Sequence, residues 1–316
     1  MALTSDEQKL WEIFHPYAWE QELLAKSGNS RFAHYTSAES AIRILHQSKR
    51  LWLRKANCMR DFSEVEYGLD SILETYNRVK EGLRFRETLN ELFDGFTSRV
   101  EPHFNSWIRS IKANTYIACF SAHKTEDDAF GRLSLWRAHA ANSGVAIIMH
   151  FSSSTVLANS LKVYANPVAY VSREEFQTKF DRVTDNIRAN KDFIKEQGSS
   201  RMEAYIFDLL RYAAVSVKDP CFREENEWRL IYSPDMDKSE HLQKSIEVIN
   251  GVPQVVFSIP LNGLPELDFP SLLDRIIVGP TQHPFPIAQA LVDALQALGV
   301  QDPASKVRYS KIPVRF

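Results

Sequence analysis

Apolar residues recur near every third or fourth position over much of the chain, broken by short runs that alternate or stay continuously apolar. The opening segment has the helical spacing: Leu10, Phe14, Tyr17 and Leu24 fall on one side, and Ser5 with Gln8 fits a capping box. The polar GNS stretch ends this N-terminal helix by residue 30. RFAHYT (31–36) predicts a short strand. Thr36 with Glu39 predicts a cap for a helix through Ala41, Ile44 and Leu45, and RLWLRKA (50–56) predicts another strand. From 63 to 112 the pattern is helical, with Pro102 dividing it. NTYIACFS (114–121) reads as β, Gly131 to Ala141 as helix, and GVAIIMHF (144–151) as a buried central strand. LKVYANPVAY (161–170) predicts a strand interrupted at Pro167. Helical stretches over 173–196 and 202–218 follow. The chain closes with strands at PQVVFSIP (253–260), DRIIVG (274–279) and KVRYS (306–310), and a helix over 287–298.

Strands interleave with helices along the whole length, and neither a repeat nor a low-complexity linker interrupts them. This predicts one α+β domain spanning residues 1–316, with helical insertions at 63–112 and 173–218. The chain has 316 residues, with 44% hydrophobic and 25% charged, as in an ordinary globular protein. A net charge of -2 gives no global attraction to nucleic acid. The three cysteines form no CxxC pair, which argues against a zinc knuckle or a disulfide framework. No secretory signal pattern opens the chain and no apolar run reaches membrane-spanning length. The expectation is a cytoplasmic protein without a membrane segment. GxGxxG, P-loop and GxSxG patterns are absent, so the common dinucleotide, NTPase and hydrolase readings find no support.

The chemistry-bearing stretch is CFREENEWRLIY (221–232). On a strand starting at Glu225, the side chains of Glu225, Glu227 and Arg229 would share one face. The plain reading is a surface ladder in which Arg229 pairs with Glu227. The functional reading is a carboxylate pair, one stabilising a cationic transition state and the other serving a nucleophile. His34 and Thr36 sit where the first strand ends, a place where ligand groups converge. Ser121 ends the NTYIACFS strand in the same way, and its plain role is a turn or cap. Trp136 reads as a core residue before a stacking platform. His123, His139 and His150 lack ligand spacing on one helix face, so no metal site is expected. Asp61, Glu64 and Glu66 form an acidic turn at a helix start, where the macrodipole favours them.

Taken in order, HYT, MRDFSEVEYG, CFS…LWRAHA…GVAIIMHF, ENEWRLIY, RIIVGP and SKIPVRF resemble a widespread bacterial family known only as a domain of unknown function. The resemblance runs from Arg31 to Phe316. It departs at the acidic turn, where Arg60 and Phe62 replace the family's usual Asn and Pro. More distantly, the chain resembles ADP-ribosyltransferases, whose split mixed β core holds NAD between a strand bearing Arg or His, a strand ending in Ser, and a strand opened by a catalytic Glu. That resemblance implies Glu227 as the catalytic carboxylate, Glu225 as the group orienting the acceptor, and Ser121 as the hydroxyl fixing the glutamate strand. It implies Arg31 or His34 on the NAD phosphates or ribose, the choice being open, and Tyr35 on nicotinamide, with Thr36, Trp136 and Arg229 lining the same pocket. NAD would be a substrate, no metal would be needed, and the acceptor would be a protein, a nucleic acid, a small molecule or water. A role as toxin or anti-phage effector, with a second copy or an inhibitory protein as partner, follows by analogy. The rivals are a Mg²⁺-dependent nuclease using Asp61, Glu64, Glu225 and Glu227, and a nucleotide-binding module without turnover.

Overall fold

The computed structural model describes residues 3–27, 30–59, 65–139, 143–150, 160–249, 251–263 and 268–314. It is a mixed α+β structure built on a large sheet. Its strands are β1 (Arg31–Ser37), β2 (Arg50–Lys55), β3 (Tyr116–His123), β4 (Gly144–His150), β5 (Tyr164–Pro167), β8 (Glu227–Tyr232), β9 (Gln243–Ile249), β10 (Val252–Pro260), β11 (Leu273–Val278) and β12 (Val307–Tyr309). Two short strands, β6 (Ala169–Tyr170) and β7 (Val217–Lys218), pair in parallel apart from it. The main path runs β12-β11-β4-β1-β3-β2-β10-β9, with β8 and β5 branching from β3. Among the described residues only β11 and β12 pair in parallel within this sheet.

The branching has a simple cause. One edge of β3 pairs along its length with β8, from Tyr116↔Tyr232 to Ser121↔Glu227. Its other edge is shared: β1 takes Ser121 to His123, and β2 takes Tyr116 and Ile117. Between those two partners the sheet forks. In the fork the Nδ1 of His34 lies 2.9 Å from the carbonyl of Cys119, which falls between the stretches paired with β1 and β2.

Each face of the sheet has its own apolar layer. Phe32, Phe120, Ile147, Leu230 and Ile276 meet the helix Pro284–Ala297 on one side. On the other, Ile117 and Ile231 meet helices Glu66–Arg78, Lys80–Leu92, Phe96–Ala113, Arg173–Ala189 and Ser199–Ser216, together with Leu10, Ile13 and Phe14. The two helical stretches expected from periodicity therefore form one layer over one sheet face. A small third cluster holds Ala33, Tyr35, Trp136, Ala146 and Ile277.

Several local expectations shift. The opening helix is two helices, Ser5–Phe14 and Pro16–Ser27, because the ring of Pro16 withdraws an amide and starts a new first turn. Its cap is Thr4 with Glu7, not Ser5 with Gln8. The second cap is Ser37, which accepts from the Ser40 amide, so Thr36 stays in β1. Pro102 lies inside the helix Phe96–Ala113 and does not divide it. The divisions fall at Val79, which is extended, and at Gly95, whose φ of 60° suits a residue without a Cβ, while Phe96, Val100 and Phe104 bury enough surface to carry the helix through the proline.

Candidate functional site

Glu227 opens β8, but Glu225 does not belong to that strand. It ends the 3₁₀ turn Pro220–Glu225, and Asn226 bridges the two in a left-handed conformation, φ 44° and ψ 54°. Asn is the side chain that best tolerates this region after Gly. The shared strand face expected for the two acids is thus replaced by a turn that brings them together. Lys218 Nζ is 2.7 Å from Glu225 Oε2 and 3.6 Å from Glu227 Oε2. Arg229 grips Glu227 with two contacts, Nε to Oε1 at 3.3 Å and a terminal nitrogen to Oε2 at 3.2 Å. Its other terminal nitrogen donates to the Val215 carbonyl at 2.5 Å. Arg229 is 1% exposed and Glu227 6%. The exposed ladder of the plain reading is therefore a buried clamp between the sheet and the helix Ser199–Ser216.

The two carboxyls are pushed apart. Burial alone would raise Glu227, but Arg229, then Lys218 and the Cys119 thiol, outweigh it and hold the group below the usual carboxylate range. Glu225 goes the other way: burial raises it more than Lys218 lowers it, with the charge of Glu227 adding to the rise. The Tyr170 hydroxyl accepts from the Glu227 amide at 3.0 Å. Its own pKa is driven upward by burial and by both glutamates, so it stays a neutral phenol.

Ser121 completes this corner. It lies directly across from Glu227 on one side and Ala33 on the other, so β1, β3 and β8 meet in one row. Its hydroxyl donates to the Glu225 carbonyl at 2.5 Å and accepts from Arg132 at 3.0 Å. Arg132 also holds Asp127 Oδ2 at 3.1 Å and the Glu224 carbonyl at 3.3 Å, and bonds the Ala122 carbonyl. Lys218, Arg132 and Tyr170 escaped the sequence reading. Lys218 looked like the end of an amphipathic helix, but Val217–Lys218 is a strand. For Arg132 the signal was Gly131 before it, whose φ of +65° turns the chain into the corner.

The other expected residues lie elsewhere. Arg31 is bound to Asp128 at 2.8 Å and Asp274 at 2.9 Å; burial opposes its charge, but these two acids more than restore it. His34 alternates with Ala33 and Tyr35 and so faces the opposite side of the sheet from Ser121 and Glu227. There it lines an apolar cavity of about 40 Å³ with Leu230, Ile147 and Met149, and burial lowers its pKa. Tyr35 is buried, accepts from the Arg132 amide at 3.0 Å, and is pushed up to about 12 by burial. Thr36 is half-buried opposite Val145. Trp136 is a core residue, its indole nitrogen donating to the Phe130 carbonyl at 2.9 Å. Gly131 and Gly279 flank it so closely that a Cβ would come within 2.6 and 2.8 Å of the ring. Asp61 and Glu64 lie outside the described residues. Among the described residues no group of three or more His, Cys, Asp or Glu side chains is arranged to hold a metal ion, and no helix is long and apolar enough to cross a membrane.

Comparison picks out one stretch of the chain, which includes the start of β8 but neither β1 nor β3. Residues 135–230 match the family model described as protein of unknown function, DUF2971. The DUF2971 stretch contains Trp136, Tyr170, Lys218, Glu225, Glu227 and Arg229, and stops within β8. It bears out the resemblance to a domain of unknown function on the LWRAHA, GVAI and ENEWRL islands; the HYT, IVGP and SKIPVRF islands lie beyond it. No curated protein and no solved structure matches the chain, and none of the comparisons supports the likeness to ADP-ribosyltransferases.

Proposed function

We propose that the corner of β1, β3 and β8 binds NAD and transfers or hydrolyses its ADP-ribose. The observation that carries this reading is the acid pair on Lys218 at the start of β8, one carboxyl raised and one lowered, beside Ser121 and next to the fork between β1 and β2. A forked mixed sheet with a glutamate opening one strand and a serine directly across from it on the neighbour is close to the arrangement expected of an ADP-ribosyltransferase core, although β3 continues past Ser121 to His123 where the sequence predicted its end. Pairs of acids with separated pKa values divide acid–base labour between them.

Bond breaking would leave the electron pair on the departing nicotinamide and positive charge on the ribose, as in glycoside hydrolysis. A new bond from an acceptor oxygen or nitrogen to that ribose carbon releases one proton. The half-buried Glu225, with its raised pKa, is suited to take it. Glu227 is enclosed by Arg229, Lys218 and Cys119, so its part in this reading is to fix the charges behind Glu225. That reverses the division of labour expected from the sequence. The Arg132 guanidinium, held in place by Ser121, Asp127 and the Glu224 and Ala122 carbonyls, supplies positive charge near where the phosphates would lie.

The deciding test is nicotinamide release from NAD by the wild type and by Glu225→Gln. Release that falls by about a hundredfold or more in the variant, with the fold intact, supports the reading. Release that is unchanged, or NAD that neither binds nor turns over in the wild type, removes it.

A further inference from the structure

A second site lies away from the glutamate corner. Strand β11, the helix Pro284–Ala297 and strand β12 form a parallel strand–helix–strand unit. At the carboxyl ends of its two strands is a cleft of about 230 Å³, lined among others by Gly279, Thr281, Phe285, Tyr309, Ser310 and Ile312. The crevice outside the carboxyl ends of parallel strands is where ligands of such units bind. Two large aromatic side chains border it without being buried: Phe285 is 76% exposed and Tyr309 46%. Their rings are 5.9 Å apart and nearly edge to face. Rings left in water beside a cleft of this size gain most from a flat partner that stacks on them.

Charge narrows the partner. The chain as a whole is slightly acidic, yet the stretches that supply the cleft's lining, 278–285 and 309–314, contain no Asp or Glu. They contain His283 and Lys311. Prolines at 284 and 286 withdraw backbone donors from the first turn of the helix, so an anion there must be held by side chains.

We propose that this cleft binds a nucleoside 5′-phosphate, the base stacking on Phe285 and Tyr309 and the phosphate meeting Lys311, which stands between the lining residues Ser310 and Ile312. The site stands independently of the NAD reading: it requires neither nicotinamide release nor the acid pair, and failure of that reading leaves it intact.

The test is titration of the whole protein with AMP, followed by calorimetry, beside adenosine and inorganic phosphate as partial probes. The wild type is expected to bind AMP at about 1 mM or tighter, and each partial probe more weakly. Phe285→Ala and Tyr309→Ala should each weaken AMP by about tenfold; both rings are exposed, so both variants should keep the fold. Lys311→Ala should weaken it and reduce its salt dependence. Absence of AMP binding in that range would overturn the proposal. So would AMP binding no better than phosphate, or binding unchanged by both aromatic substitutions.

Discussion

Removing one member of a buried ion pair strands the other, and Glu227 with Arg229 is such a pair. Glu227→Gln or Arg229→Met should each cost about 3–5 kcal/mol in denaturant unfolding. The combined change to Leu and Met should cost less than the sum, because neither charge is then left unpaired. Glu225 behaves differently, since it is half-buried and its charge is disfavoured. The two acids therefore bend the pH dependence of stability in opposite directions. Glu227, held low when folded, contributes stability above its ordinary value of 4.5 that is lost as pH falls through the folded value. Glu225, held high, contributes stability at low pH that is lost as pH rises from 4.5 through its folded value. Glu225→Gln should thus flatten the decline just above pH 4.5, as read from unfolding midpoints across pH. The identity of the acids was legible in the sequence, since ENEWR stands out as charge before an apolar run. Their geometry was not. It depends on the left-handed Asn226 and on a lysine nine residues before Glu227, and neither follows from strand periodicity.

At the scale of elements, alternation and period found β1, β2, β3, β4, β8, β10, β11 and β12 close to where they lie. The failures have a common physics. A Pro102 outvoted by buried Phe96, Val100 and Phe104 shows tertiary packing overriding local propensity. Strand β9 was not legible because Ile246 and Val248 alternate outward at an edge, with no buried face to mark the strand. The strand-to-helix corner around Trp136 offers a sharper test. Gly279→Ala must push a methyl into the indole and is expected to cost about 1–3 kcal/mol by thermal or denaturant unfolding. Gly131→Ala adds a left-handed backbone to the same clash and should cost more. A matching Trp136→Phe change should recover part of either loss.

Over the whole molecule, protection should follow the sheet's order. Strand β4 is paired on both edges, by β1 and β11, and is buried from Gly144 to Met149. Among the described residues strand β9 is an outer edge paired with β10 alone. Hydrogen exchange should therefore reach β9 amides first and β4 amides last. Equal protection along the two strands would contradict this order.

The clamp beneath the acids also has a mechanical side. The helix Ser199–Ser216 is a rod joined directly to the short strand Val217–Lys218, which carries the amine. Beside it, the Val215 carbonyl is fastened to Arg229. A slide of the rod by one helical rise, about 1.5 Å, would carry the amine beyond hydrogen-bonding reach of Glu225, now at 2.7 Å. The proton affinity of that carboxyl is thereby geared to the position of the whole helical layer.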